Sequence, residues 1–472
     1  MSTGGPSTGG PSTDGHRTDE HSVVVDLGYG DAGKGRVVAA LCEAAEGPRG
    51  GGPVRAVVRF NGGAQAGHNV LAADGRHHTF AQFASGTLAG VPTYLSRFTL
   101  VDPPALAAEA AHLAELGVRS PLRLLTVDRR ALLTTPYHAA AGQLRERARG
   151  AARHGSCGMG VGEAARYALA HPADAPLVGD CGSRLRLLRK LVALRERLTA
   201  ELGPLGAPPV EECATACLEF ARAVALADEA HLPRLLAQGP VVFEGAQGVL
   251  LDERHGFHPY TTWSTTTFAN AETLLAEAGA PGAARRIGVV RTHTTRHGPG
   301  PLVTEDPALT AALPEPHNTA GPWQGAFRVG HFDAVAHAYA AEVCGGVDAL
   351  ALTHLDRIAH APLDLVRSYE IDGRPLDRLP VSARPDPAGQ EHLTGRLLRA
   401  LPGRRSRPGA DPREWTAAVS EALGAPVELA SYGPSGPLRP GVHTPRSRTG
   451  YDGRPPSARS TRTRPRVDQR TV

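Results

Sequence analysis

The 472 residues are 41% hydrophobic and 21% charged, enough apolar material for a large core and, at roughly 150 residues per unit, for two or three units. No apolar run reaches the roughly 18 residues of a membrane-spanning helix. The formal charge of +4 is a tail effect, because nine Arg stand against two Asp between Leu438 and Val472 and leave the rest of the chain at −3, which supports no basic groove for nucleic acid.

In chain order, residues 1–21 repeat Ser-Thr-Gly-Gly-Pro without the apolar stretch of a signal peptide and read as a disordered leader. Buried strands are expected at 22–27, 54–60, 123–127, 240–244, 286–291, 347–353 and 427–431, where short β-branched runs occur. Helical patterns follow at 35–45, 183–202, 210–236 and 332–344. A further helix is punctuated by Asp411 as cap, Pro412 in its first turn and Gly424 at its exit. Strands alternating with helices predict an α/β fold, a large, mostly parallel sheet flanked by helices, as one domain over 22–436. The Arg/Pro/Ser-rich 437–472 read as a disordered basic tail. Six cysteines without a Cys-x-x-Cys pair point to reduced thiols and a cytoplasmic protein. Cys213 and Cys217 have no second pair nearby, so they read as core thiols and no structural metal is assigned.

Four segments carry the chemistry. In residues 23–36 a buried strand runs into a Gly-rich turn and a helix; Gly28, Gly30, Gly33 and Gly35 let backbone N–H groups converge on an anion at a helix N-terminus. Lys34, one of only two lysines in an Arg-rich chain, supplies the compact ammonium that suits a phosphate nest; the spacing is not that of a Walker A loop. Asp31 in the same turn suits Mg²⁺ binding or proton abstraction, or else caps the helix. In 58–69 a strand ends in Gly62-Gly63, and His68 follows Gly67, placed to donate to a phosphate oxygen. In 241–267 a strand delivers Glu244-Gly245-Ala246-Gln247-Gly248; Gln247 can read an amide-like edge, and Thr262 can bind phosphate or ribose. In 349–358 a strand ends at Thr353-His354-Leu355-Asp356, whose Asp can accept both donors of guanine.

Taken in order, these segments resemble adenylosuccinate synthetase over about residues 22–436. The family's Gly-Asp-Glu-Gly-Lys-Gly-Lys is similar to Gly30-Asp31-Ala32-Gly33-Lys34-Gly35-Arg36, and its Gly-Gly-His-Asn-Ala-Gly-His to Gly62-Gly63-Ala64-Gln65-Ala66-Gly67-His68. Its Glu-Gly-Ala-Gln-Gly stands at 244–248, Val-Thr-Ser-Ser-Asn-Thr-Thr is similar to 261–267, Thr-Lys-Leu-Asp to 353–356, and Ser-Thr-Gly-Pro to Ser431-Tyr432-Gly433-Pro434. The resemblance implies a fold related to the P-loop NTPases and a homodimer. It also implies a reaction in which GTP and Mg²⁺ phosphorylate the 6-oxygen of IMP and the amine of L-aspartate displaces phosphate. By the same resemblance Asp31 is base and Mg²⁺ ligand, His68 the acid, and the Gly67 backbone a second Mg²⁺ contact. Lys34 and Gln247 complete the catalytic set. Gly30–Arg36 and Gly67, His68 and Asn69 surround the GTP phosphates, while His354, Leu355 and Asp356 with Ser431, Tyr432 and Gly433 hold guanine. Gln65, Ala66, Cys157, Gln247, Thr262 and Arg328 contact the acceptor and donor.

The departures are informative. The family's arginine-rich run, which holds the two carboxylates of aspartate, corresponds to residues 321–330, where only Arg328 remains. Each lost bidentate contact removes charged hydrogen bonds of about 1.5–3 kcal/mol. The family's 5′-phosphate run Thr-Thr-Gly-Arg-Gly is Ser156-Cys157-Gly158-Met159-Gly160 here, Gln65 replaces an Asn, and an arginine contributed across the dimer aligns with His171. The expected function is a GTP-dependent C–N ligase acting on a purine-like acceptor with a changed amine donor, acceptor or both. The alternatives are the ordinary IMP and aspartate reaction of AMP biosynthesis, and a non-catalytic guanine-nucleotide binder, which would need no base.

Overall fold

The computed structural model describes residues 21–44, 53–315, 318, 323, 325–382, 384, 386–435 and 438–441. Numbering only the strands of its central sheet, they are β1 (His21–Asp26), β2 (Ala56–Arg59), β3 (Thr93–Leu95), β4 (Leu125–Asp128), β5 (Ala225–Ala227), β6 (Val241–Gly248), β7 (Ala284–Arg291), β8 (Ala349–Thr353), β9 (Val427–Ala430) and β10 (Arg439–Pro440). Their spatial order is β10-β9-β8-β7-β1-β6-β2-β3-β4-β5, with every pair parallel except β9 with β10. The sheet is therefore the large, mostly parallel one that the alternation of strands and helices predicts.

The β-branched runs form strands because both faces are covered. Along β1, Val23 and Val25 enter an apolar cluster with Phe243, Leu350 and Trp415, while Val24 faces Val37, Val38 and Leu41 of helix Lys34–Glu43, the two-residue alternation of a strand buried on both sides. Leu187, Leu191, Leu194 and Leu198 give helix Arg184–Leu202 one apolar stripe, against which Cys213 and Cys217 are buried. All six cysteines are free. The side chain of Asp411 accepts from the N–H of Arg413, and Gly424 closes that helix at φ 70°. No helix among the described residues is long and apolar enough to cross a membrane.

Three expectations are corrected. The pattern over 210–236 is not one helix but helix Val210–Ala223, strand β5 and helix His231–Leu236; the open edge of β4 offers unpaired N–H and C=O groups, and three residues are drawn off to pair with it. β3 was not anticipated, being only three residues long, but it bridges β2 and β4. The sheet also runs past residue 436, since Arg439–Pro440 pair with Leu429–Ala430 inside the segment expected as a tail; the rest of that segment and the leader before His21 lie outside the described residues.

β1 lies between β6 and β7. From β1 the chain goes to β2 on one side, and β7 to β9 fill the other, so strand order reverses at β1. The crevice outside the carboxyl ends of such strands is where open α/β sheets place ligands.

Candidate active site

β1 ends in Asp26, a fully buried carboxylate that organises the glycine-rich turn. Its Oδ1 accepts from the N–H groups of Gly28 (2.7 Å) and Gly30 (3.4 Å), and its Oδ2 from that of Ala32 (2.7 Å). Lys34 Nζ lies 3.3 Å from Oδ2 and donates to the carbonyl of Gly30 at 2.8 Å. Helix Lys34–Glu43 then begins behind Gly33 (φ 91°) with no side chain capping it, which leaves its first N–H groups able to meet an anion. Arg36 is buried in the same turn with Nε unpartnered. The first turn packs so closely on the next segment that a Cβ on Gly35 would come within 2.8 Å of the His68 Cβ.

His68 opens the hairpin of strands His68–Leu71 and His77–Phe80. Its Nδ1 lies 2.7 Å from Glu244 Oε1 in β6, and Glu244 also accepts from the Ser85 N–H at 3.0 Å and from the Ser85 hydroxyl. Burial pushes His68 down to about 4 against the pull of Glu244. Burial acts to raise Glu244, but His68, Arg59 and Ser85 outweigh it and hold the carboxyl at about 2. The pair is thus a neutral imidazole donating Nδ1–H to a carboxylate, which leaves Nε2, buried and unpartnered, as the reactive nitrogen. Asn69 Oδ1 accepts from Thr79, Ala66 is buried beside it, and Gly67 is exposed on the turn.

Asp31 faces the crevice. Its Oδ2 is 3.7 Å from His297 Nε2, and Arg291 Nη1 donates to its carbonyl at 3.0 Å. Burial pushes the Asp31 carboxyl above the ordinary carboxylate range, opposed by His297 and Arg291. Arg291 is itself fixed by Glu315, His293 and Thr295.

Beside these groups lies a cavity of about 490 Å³, lined among others by Gln65, Cys157, Gln247, Thr262 and His297. Gln247 holds a left-handed backbone (φ 57°), and its Oε1, like both amide atoms of Gln65, is buried without a partner. Those orphaned amide atoms mark where a ligand's donors and acceptors fit. Arg328 is not aimed into this space: its guanidinium is spent on Glu305 (2.7 Å) and on the carbonyls of Gly298 (2.7 Å) and Gly300 (2.9 Å). Gly321, Pro322 and Gln324 of the same run lie outside the described residues. His171 ends helix Val161–Ala170 against Tyr167 and does not line the cavity.

The fourth segment joins on the other side of the glycine turn. Thr353 Oγ1 donates to the Ala32 carbonyl at 2.6 Å, and the Leu355 N–H to the Ser431 carbonyl at 3.1 Å. His354 is left-handed (φ 58°), and burial together with Arg291 pushes it well below the ordinary imidazole range. Asp356 Oδ1 is buried without a partner. Ser431 donates to the Gly433 carbonyl at 2.9 Å, and Tyr432 lies under Arg439.

Sequence reasoning missed Asp26, the role of Glu244, and the pair Arg291 and His297. A signal existed for two of them. An acidic residue inside the buried runs Val23–Val25 and Val241–Phe243 is rarely left unpaired.

The family model described as adenylosuccinate synthetase matches residues 23–436. The adenylosuccinate synthetase of Desulfovibrio desulfuricans is 30% identical over 447 residues, covering 87% of this chain and 97% of that protein. That of Ectopseudomonas mendocina is 33% identical over 437 residues, covering 87% and 96%. Among solved structures, the fully ligated adenylosuccinate synthetase of Plasmodium falciparum superposes with a TM-score of 0.73 at 18% identity, covering 88% of this chain and 98% of that one. A cyanophage S-2L succinoaminodeoxyadenylate synthetase bound to dGMP, and to dATP as an energy donor, superposes with a TM-score of 0.53 at 19% identity, covering 88% and 93%.

Proposed function

Because this chain belongs to the adenylosuccinate synthetase family, whose members are GTP- and Mg²⁺-dependent C–N ligases, we propose that it phosphorylates the lactam oxygen of a purine-like acceptor and lets an amine other than L-aspartate displace the phosphate. The single observation that carries the changed donor is Arg328: the one arginine left in the donor run is engaged by Glu305 and two carbonyls, so that run presents no free guanidinium to a dicarboxylate among its described residues. The cyanophage neighbour, bound to dGMP and dATP, is consistent with a fold that accommodates changed substrates.

The residues divide the work as follows. Asp31, raised by burial, takes the lactam N–H proton and so makes the ring oxygen a nucleophile. His68 turns Nε2 toward the transferring phosphoryl group, with Glu244 fixing its tautomer and favouring the imidazolium once a second anion arrives. Lys34 and the free N–H groups of Lys34–Arg36 hold phosphate oxygens, Asp356 with Ser431–Gly433 holds guanine, and Gln247 with Gln65 reads the acceptor edge. The Asp31 carboxylate, with only His297 in ion-pair range among the described residues, is of a chemistry that fits Mg²⁺, and the Gly67 backbone would be the second contact. Among the described residues no group of three or more His, Cys, Asp or Glu could hold a metal ion, so phosphates and water would complete the ion's shell. When bound, Mg²⁺ would neutralise charge on the phosphates. A cytoplasmic homodimer belongs to the same proposal.

The test is a matrix of amines and purine-like acceptors assayed for GTP-dependent phosphate release. Turnover with a non-aspartate amine is expected. Ordinary-rate formation of adenylosuccinate from IMP and L-aspartate would overturn the changed donor.

A further inference from the structure

Within the ligase reading, on which this inference rests, the acceptor cavity says what the acceptor carries. We infer that the acceptor is an uncharged, hydroxyl-bearing lactam of the nucleoside type, without a 5′-phosphate.

The cavity has room for more than a base, since 490 Å³ lies inside the roughly 300–1,000 Å³ of small-molecule sites. The amides of Gln65 and Gln247, with buried unpartnered atoms, serve the base edge. The substituent then meets walls built from the segments around Ser156–Glu163 and His258–Trp263, which close on each other so tightly that a Cβ on Gly162 would stand 3.0 Å from the Trp263 ring.

Among the described residues, each guanidinium on these walls already has a partner within this chain. Of the two lining guanidiniums, Arg149 is paired with Glu146. Arg296 is buried and donates to the carbonyls of Pro299, Pro301 and Tyr260. Both lysines of the chain are engaged elsewhere, Lys34 with Asp26 and Lys190 with Asp180. The first turn of helix Val161–Ala170 faces the cavity, but it carries its own anion, Glu163, which is held by Arg145 and Arg166. Glu253 accepts from the Thr265 hydroxyl and, among the described residues, has no guanidinium or ammonium in ion-pair range. His258 Nε2 is engaged with the Glu253 carbonyl, and burial with Arg149 pushes His154 toward its neutral form.

A phosphate monoester brings about −1.5 to −2 charges at pH 7. Here it would sit beside the Glu253 carboxylate, which has no cation partner among the described residues, and would have to compete with Glu146 and three carbonyls for the two lining guanidiniums. Hydroxyl groups fit the same surface, because Glu253, Ser156 and Thr262 accept O–H hydrogen bonds. This wall reads neutral donors where a phosphate site needs arginine or lysine.

The experiment is calorimetric titration of the intact chain, with Mg²⁺ and a non-hydrolysable GTP analogue, by inosine and separately by IMP. Inosine is expected to bind at least ten-fold more tightly than IMP, and Glu253→Gln to narrow the gap at least three-fold. IMP binding equal to or tighter than inosine overturns the inference, as does binding of neither while the GTP analogue still binds. Failure of the analogue itself to bind strikes the ligase reading instead, so the two failures are separable.

Discussion

Glu244→Gln isolates the contribution of the buried carboxylate behind His68. The wild-type side chain is fully buried and receives hydrogen bonds from His68 Nδ1 at 2.7 Å, from the Ser85 N–H at 3.0 Å and from the Ser85 hydroxyl. A glutamine keeps the shape, and its carbonyl oxygen still accepts from Ser85. Its amide now faces Nδ1, which favours the tautomer with the proton on Nε2 and removes the charge that stabilises an imidazolium. The loss is one charged hydrogen bond, about 1.5–3 kcal/mol, which at 1.4 kcal/mol per decade is roughly a 10- to 100-fold fall in kcat. The KM for GTP should change little, because guanine and most phosphate contacts lie on other residues. Steady-state phosphate release, with the acceptor and amine that support wild-type turnover, measures both. A variant with wild-type kcat, or one whose whole loss sits in the KM for GTP, would refute the assignment of His68 and Glu244 as a working pair.

Asp26→Ala removes the acceptor of three turn N–H groups and leaves the Lys34 ammonium buried without its carboxylate; a destabilisation of about 3–5 kcal/mol is expected in urea unfolding, and a change under about 0.5 kcal/mol would contradict it. Gly35→Ala places a methyl within 2.8 Å of the His68 Cβ, an overpacking of about 1–3 kcal/mol that should also impair turnover by shifting the imidazole; unchanged melting and activity would count against the close approach. His138 and His293 are pushed down to about 3, in each case chiefly by burial. The unfolded chain, with values near ~6.5, therefore binds the extra protons. Their contribution is full above about pH 6.5 and is lost as pH falls toward 3, by at most about 1.4 kcal/mol per group per pH unit. Unfolding free energies at pH 7.5 and 5.5 should differ accordingly, and equal values would contradict the buried neutral imidazoles. Chelating Mg²⁺ should abolish GTP-dependent phosphate release and its re-addition restore it.

The strands around the site were legible because Val23–Val25, Val57–Val58 and Val241–Phe243 are apolar on both faces, a pattern typical of strands buried in a parallel sheet. The glycine turn and the positions of Asp31 and Asp356 were legible for a related reason, since each lies within a few residues of a strand end, whereas Gln247 lies inside β6 and His68 opens a hairpin strand. What the strand pattern hides is pairing across the fold. Glu244 lies 176 residues from His68, and only the fold brings β6 and the hairpin that His68 opens together. Asp26 gives no motif, because its partners are backbone N–H groups of the loop it holds. Arg328 was expected to contact a substrate, but the direction of its guanidinium is set by the carbonyls of Gly298 and Gly300, which spacing does not reveal. The misread helix over 210–236 has a similar origin: β5 exists because β4 presents an edge, a tertiary demand that overrides a helical period.

The central claim is that phosphate activation by GTP is retained while the site for an aspartate nucleophile is not. The most direct measurement is the rate of GTP-dependent phosphate release, at saturating GTP, Mg²⁺ and acceptor, with L-aspartate set against amines lacking one or both of its carboxylates. The account predicts turnover with a non-dicarboxylate amine and little or none with L-aspartate; preference for L-aspartate, with product formed in step with phosphate, would contradict it.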